Sequence, residues 1–298
     1  MAGLYGSYAY DNTIIMDKRP LLQLDIEGIL KKRIPLRKQK FIPGFLYNAL
    51  ARLIHQDELN EILRISYPSQ GSEFSRKVLK HLNIEVKLEG AENLPTPDHR
   101  VVFASNHPLG GLDGIALIAV LGQRYGDENI SFLVNDLLMN VEPLSNVFLP
   151  INKYGSQARA AAEAINSAYA SDRQIVIFPA GLVSRLHPGG EVYDLKWQKA
   201  FVQKAIENDR DIVPIRFVAL NRKRFYRLAK WRKKLGIKVN IEQATLPAEL
   251  CASRGKRFRI IIGKPISVSE LKNSGKSFPL LAEKIHDLIY TLHIPEKI

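Results

Sequence analysis

The chain has 298 residues, 46% hydrophobic and 24% charged, and its 43 basic against 30 acidic side chains give a formal charge of +13. That apolar content excludes disorder and supplies a sizeable core, enough for one large α/β domain with an N-terminal extension. The cationic excess favours an anionic partner: lipid headgroups, nucleic acid or an acidic carrier protein.

Cys251 is the single cysteine, so no internal disulfide forms, and Met1 to Arg19 carries no apolar segment of signal-peptide type. The longest apolar runs, Gly114 to Gly122 and Gln174 to Val183, fall short of the roughly 20 residues that span a bilayer. These features predict a cytoplasmic protein that meets the inner face of the membrane peripherally.

Residues 1–20 are rich in Tyr, Gly and Asn, show no period and form a segment of unknown role. Over residues 21–82 apolar positions recur at helical spacing, as in Phe45, Leu46, Leu50, Leu53, Ile54, Leu59, Ile62 and Leu63. Breaks at Pro43-Gly44 and from Pro68 to Gly71 divide them into an N-terminal layer of three or four short helices.

From residue 83 to 298 short β-branched runs alternate with helical stretches. The expected strands are Ile84 to Leu88, Val101 to Ala104, Ile130 to Val134, Val147 to Ile151, Ile175 to Phe178, Ile212 to Val218, Ile237 to Ile241 and Phe258 to Ile262. Helices are expected over Leu112 to Leu121, Gln157 to Ala170, Lys196 to Glu207, 222–235 and Ser277 to Leu292, with a capping box at Ser267 to Glu270. Such alternation predicts an α/β fold, with a mainly parallel central sheet flanked by helices and by the N-terminal helical layer.

The most informative stretch is Ser105-Asn106-His107-Pro108-Leu109-Gly110-Gly111-Leu112-Asp113-Gly114, a glycine-rich turn between an apolar strand and a helix. In one continuous helix, residues six apart would sit about 120° apart and about 9 Å along the axis, so His107 could not meet Asp113. Pro108, Gly110 and Gly111 forbid that helix and let the carboxylate fold back to the ring. One loop then supplies a base, its orienting acid and, from the Gly110 and Gly111 amides, an oxyanion site. A second strand runs into Phe178-Pro179-Ala180-Gly181, followed by Ser184 and Arg185, at a strand end where α/β sheets bind ligands.

Asn106-His107 with Asp113, the Phe178-Pro179-x-Gly181 turn and Val213-Pro214-Ile215 resemble, in order and separation, the lysophosphatidic-acid-acyltransferase-like glycerolipid acyltransferases over residues 75 to 265. The resemblance implies that His107 is general base on a lipid hydroxyl and Asp113 orients it. The hydroxyl then attacks the thioester of acyl-CoA or acyl-carrier protein without an acyl-enzyme, and no further cofactor is implied. It also implies a basic residue of the acceptor site after Leu149 to Asn152, the place of Lys153 here, and Asn106, Phe178, Pro179, Ala180, Gly181, Ser184 and Arg185 on the two turns read as further substrate-binding residues.

Five residues separate His107 from Asp113 where the family usually has four, and Ala180 replaces the usual glutamate of the turn. With Asp194-Leu195-Lys196-Trp197 following, these features are similar to a branch of hemolysin-like proteins and O-acyltransferases of ornithine and glycine lipids. In that branch the acceptor is an N-acyl amino acid with a hydroxyl on its fatty chain, and Arg185 or Lys153 would suit its carboxylate.

Arg216 to Lys238 holds ten basic residues and no acid. Within it Arg222, Lys223, Arg224, Arg227, Lys230, Trp231, Arg232, Lys233 and Lys234 read as a membrane or carrier-protein contact, the alternative being a solvated helix covering the sheet. No nucleic-acid motif accompanies the stretch, no Cys-x-x-Cys or histidine spacing suggests a metal, and Ser184 lacks a nucleophile elbow. The expected activity is O-acyl transfer to a lysolipid, either an N-acyl amino-acid lipid or a lysophospholipid. The alternative is a noncatalytic lipid-binding or nucleic-acid-binding protein on the same fold.

Overall fold

Runs of Val, Ile and Phe bounded by turn residues extend because branched side chains pack well on a pleated surface. The computed structural model describes residues 43–135, 138–139, 141–151, 158–237 and 240–292. Residues 1–20, residues 21–42 of the expected helical layer and Lys153 lie outside these.

The strands are β1 Glu85–Glu89, β2 Val101–Ser105, β3 Ile130–Asn135, β4 Phe148–Ile151, β5 Gln174–Ile177, the two-residue hairpin β6 Arg185–Leu186 and β7 Val192–Tyr193, β8 Asp211–Val218 and β9 Arg257–Ile262. Seven of them form one sheet in the order β1-β9-β8-β2-β5-β3-β4. From β8 to β4 every pairing is parallel, while β9 runs antiparallel to β8 and parallel to β1. The fold is thus a mostly parallel sheet with flanking helices, as expected.

The expected strand Ile237 to Ile241 is a correction. Lys238 and Val239 lie outside the described residues, and Ile241 opens a 3-10 turn, Ile241–Thr245. That turn carries the fully buried Glu242 against Arg185 and Arg232, a pairing that favours the turn over sheet extension.

The helices are α1 Gly44–Leu53, α2 Gln56–Ser66, α3 Gly71–His81, α4 Gly111–Tyr125, α5 Ala158–Ala170, α6 Ala200–Glu207, α7 Lys223–Lys234, α8 Leu246–Cys251, α9 Val268–Asn273 and α10 Phe278–Thr291. Helix α6 starts four residues later than the sequence suggests, because Trp197 donates to Asp194 and the Gln198 amide donates to Pro179 O, neither with helical partners. The Ser267 hydroxyl accepts from the Glu270 amide at 3.1 Å, capping α9 as expected. Among the described residues no helix is long and apolar enough to cross a membrane.

Alternation along β2 divides the core. Val101 and Phe103 face a cluster with Phe74, Leu112, Leu117 and Leu121, and Val102 and Ala104 face one with Trp197, Phe201, Leu281 and Ile285. Helices α3 and α4 therefore cover one face, and α6 and α10 the other. A Cβ on Gly122 would lie 2.6 Å from Ser72 Cβ, so this glycine sets how closely α3 approaches α4.

The start of β2 is fixed by polar groups. Fully buried Gln174 accepts from the Val101 amide at 2.9 Å and donates to the carbonyls of Pro97 and His99, each at 3.1 Å. Fully buried Arg210 donates to the carbonyls of Tyr169 and Arg173, each at 2.7 Å, placing a cation at the C-terminus of α5. Gln174→Leu strands one amide and two carbonyls, and we expect a loss of about 2–4 kcal/mol in urea unfolding. A loss below about 1 kcal/mol would mean that these groups find other partners.

Candidate active site

β2 ends at Ser105, and α4 begins at Gly111, so the chain must reverse within five residues. Gly110 makes this possible: it sits at φ 83° and ψ −118°, and a Cβ there would lie 3.0–3.3 Å from the side chains of Leu246 and Val183. Asp113, in the first turn of α4, reaches back to accept from the amides of Leu109 at 2.9 Å and Gly110 at 3.0 Å. This is the reach-back half of a capping box.

The same carboxylate meets the histidine. Asp113 Oδ2 lies 3.0 Å from His107 Nδ1, with Asp113 fully buried and His107 keeping 19% of its side chain exposed. Burial pushes the Asp113 carboxyl up from its ordinary range, and the imidazole and the two amides pull it back towards the charged form. Because a carboxylate only accepts, the ring nitrogen facing it carries the proton and Nε2 is left as the basic lone pair. Phe178 stacks on the imidazole with centroids 4.1 Å apart and planes 27° apart, holding the ring from its face.

The second turn stands beside the first because β5 pairs directly with β2. The Ser184 amide donates to His107 O at 2.9 Å, and the His107 amide donates to Asp194 Oδ1 at 3.2 Å. Asp194 also accepts from the Ser184 hydroxyl at 2.5 Å and from Trp197 Nε1 at 3.0 Å, while its own amide donates to the Tyr290 hydroxyl at 2.8 Å. On the other flank, Asn221 Nδ2 donates to Pro108 O at 2.9 Å and the Asn221 amide donates to the Tyr226 hydroxyl. Asp194, Asn221 and Tyr290 carry no motif of their own. Only the Asp194 to Trp197 run hinted at the first of them.

Several expected site residues have other partners. Asn106 donates to Phe217 O at 3.0 Å and accepts from the Phe217 amide at 2.6 Å, so both ends of its buried amide clamp β8 rather than face a substrate. The Gly110 amide is taken by Asp113, whereas Gly111 is exposed at the start of α4. The Ser184 hydroxyl is committed to Asp194. Pro179 and Ala180 are buried, Ala180 in the cluster with Trp197, and Gly181 turns the chain at φ 66°.

Arg185 and Arg232 require the largest correction. Arg185 is 4% exposed and lies 3.0 Å from Glu242 Oε1, and Arg232 Nε lies 2.9 Å from Glu242 Oε2. Desolvation lowers the affinity of Arg185 for its proton, and the facing carboxylate offsets only part of that. Neither guanidinium is an exposed anion site: Arg185 is enclosed beneath α7, and Arg232 is not a surface contact. Arg222 and Arg224 share the buried Glu249 at 3.1 and 3.0 Å.

Among the described residues one trio has metal-compatible donors within 4.8 Å of one another: His55, Glu58 and Cys251. Glu58 is already paired with Arg254 at 2.9 Å, and burial pushes the Cys251 thiol up to about 12, so the trio fits an ion poorly.

Two consequences are testable. Glu242→Gln leaves two buried guanidinium groups sharing one neutral partner and should cost about 3–5 kcal/mol in thermal unfolding, whereas an unchanged Tm would mean that Arg185 has another anion. Asp194→Ala removes the acceptor for the His107 amide. It should lower kcat about a hundredfold with KM and the far-ultraviolet circular dichroism spectrum little altered, and a wild-type kcat would show that the loop keeps its geometry without it.

The model of the acyltransferase family matches residues 29–292. A lyso-glycine lipid O-acyltransferase of Phocaeicola vulgatus is 42% identical over 281 residues, covering 94% of this chain and 99% of that protein. One of the same name from Bacteroides thetaiotaomicron is 40% identical over 272 residues, covering 91% and 98%. Among solved structures, the 1-acyl-sn-glycerophosphate acyltransferase of Thermotoga maritima aligns at 15% identity with a TM-score of 0.40, covering 83% of this chain and 91% of that one. A protein so alike over nearly its whole length, with a histidine and a buried carboxylate paired on one turn, belongs to the acyltransferase family and is an O-acyltransferase.

Proposed function

We propose that this enzyme moves a fatty acyl group from a thioester, carried by acyl-carrier protein or coenzyme A, to the hydroxyl of a lysolipid, and that the acceptor is a lyso-glycine lipid. The observation that carries the reading is the near full-length likeness to two proteins named for that activity. The site supplies groups suited to it.

His107 Nε2 takes the proton of the acceptor hydroxyl as its oxygen attacks the thioester carbonyl carbon. The carbonyl electron pair moves onto oxygen, stabilised by the amide of Gly111 and the positive end of α4. Collapse of the tetrahedral intermediate breaks the carbon–sulfur bond, and the thiolate leaves with the proton from His107. An ester and a free thiol result. Asp113 keeps the imidazole in the required tautomer and stabilises the cation it becomes. Lys153, outside the described residues, stays in this reading as a partner for the acceptor's carboxylate.

The test is transfer of a labelled acyl group from acyl-carrier protein and from acyl-CoA to a panel of lyso-glycine lipid and lysophospholipids. His107→Ala and Asp113→Asn should each lower kcat/KM by about a thousandfold on the preferred acceptor. Transfer to lysophosphatidic acid alone would overturn the acceptor assignment, and equal rates for wild type and His107→Ala would overturn the role of the histidine.

A further inference from the structure

Successive residues of a helix advance by about 100°, which divides α7 into two sides. Phe225, Tyr226, Ala229 and Arg232 are buried, while Lys223, Arg227, Trp231 and Lys234 fall on the opposite side, which Leu235 continues past the last turn. Trp231 is 58% and Leu235 52% exposed, large apolar surfaces to leave in water.

The charges divide in the same way. Glu249 and Glu242 take Arg222, Arg224 and Arg232. Lys223, Arg227, Lys230, Lys233 and Lys234 are exposed, and among the described residues none of them meets a carboxylate. A helix with a ridge of free cations around a protruding tryptophan and leucine has the composition that binds in the headgroup layer of a membrane.

The ridge is tied to the chemistry. Asn221, next to the Arg222 that precedes α7, donates to the carbonyl of Pro108, the residue after His107. Leu220, 59% exposed, lines an open groove with Tyr193 and Tyr290, and the Tyr290 hydroxyl accepts from the Asp194 amide under the catalytic turn. The segment leading into α7 is therefore tied to the turn that carries His107.

We propose that the outward face of α7 docks the enzyme on an anionic lipid surface, with the helix in the headgroup plane and Trp231 and Leu235 inserted. A deformable headgroup layer accommodates a protruding ridge, whereas a rigid acidic helix of a carrier protein would need a groove to seat it. Docking of this kind delivers a lysolipid acceptor to His107, and for that use alone it rests on the function proposed above.

The experiment is cosedimentation of the full chain with vesicles of phosphatidylcholine, with and without phosphatidylglycerol, at low and high salt. Wild type and His107→Ala should bind the anionic vesicles alike, release with salt and ignore neutral ones. Each Lys or Arg near such a surface is worth about fivefold, so Arg227→Glu with Lys230→Glu and Lys234→Glu should weaken partitioning by about a hundredfold or more. Tryptophan emission should shift to the blue on anionic vesicles, and Trp231→Phe should abolish the shift while Trp197 stays enclosed. Equal binding to both vesicle types, or wild-type binding by a folded triple variant, overturns the proposal. So does a triple variant that fails with acyl-carrier protein but not with acyl-CoA, which would assign the face to the carrier. Vesicle binding without acyl transfer supports the docking face and overturns the function, and transfer without vesicle binding does the reverse.

Discussion

The carboxylate of Asp113 is the group on which the site depends. Enclosing it away from water costs several kcal/mol, and a carboxylate in that position persists because it accepts two backbone amides and stands 3.0 Å from an imidazole at the positive end of α4. One side chain thereby caps a helix, closes a turn and orients the imidazole of His107. Strengthening any of the three contacts holds the other two in place, so the turn's geometry and the chemistry of His107 are not separable.

The turn is braced from both neighbours of β2. From the β5 side come the Ser184 amide on His107 O, the Asp194 carboxylate on the His107 amide and the Phe178 ring on the imidazole. From the β8 side come the Asn106 clamp on Phe217 and the Asn221 side chain, whose Nδ2 donates to Pro108 O. Parallel strands bring their carboxyl ends to one edge, so loops distant in sequence meet there. Catalytic groups need placement to within a fraction of an ångström, which explains why so many buried polar groups around His107 act on backbone atoms.

Much of this was legible in the sequence, for physical reasons particular to each element. Val101 to Ala104 and Ile212 to Val218 extend because consecutive β-branched residues suit a strand buried on both faces. Pro108 and two glycines announce a turn, and the turn leaves Asp113 free to reach back. The errors fall where a residue's type was read without its partner. Asn106 sits in the motif, but its side-chain amide matches the backbone N–H and C=O of one residue of β8, Phe217. Arg185 follows the second turn and has the right charge, but Glu242 reaches it from a segment whose apolar flank, Ile237 to Ile241, looks like a strand. No local pattern reports that a carboxylate 57 positions further on will be fully buried against two arginines.

The same argument bears on charge. Ten basic residues between 216 and 238 form one run in the sequence, and composition treats them alike. In the fold they serve different ends: Arg216 donates to the carbonyls of Tyr290 and Leu292, Arg232 is enclosed with Arg185 around Glu242, and Arg222 and Arg224 converge on Glu249. Guanidinium groups, with their planar fork of donors, take the carboxylate-paired and carbonyl-facing places, and Arg227 and all four lysines of α7 stay in water. Arg232 on the inner side, with Arg222 and Arg224 at the start of the helix, anchors α7 to the protein, and so Arg227, the lysines and Trp231 of the outer side are held out rather than collapsed onto the surface. The amphipathic character of α7 is therefore set as much by which cations are neutralised beneath it as by its apolar residues.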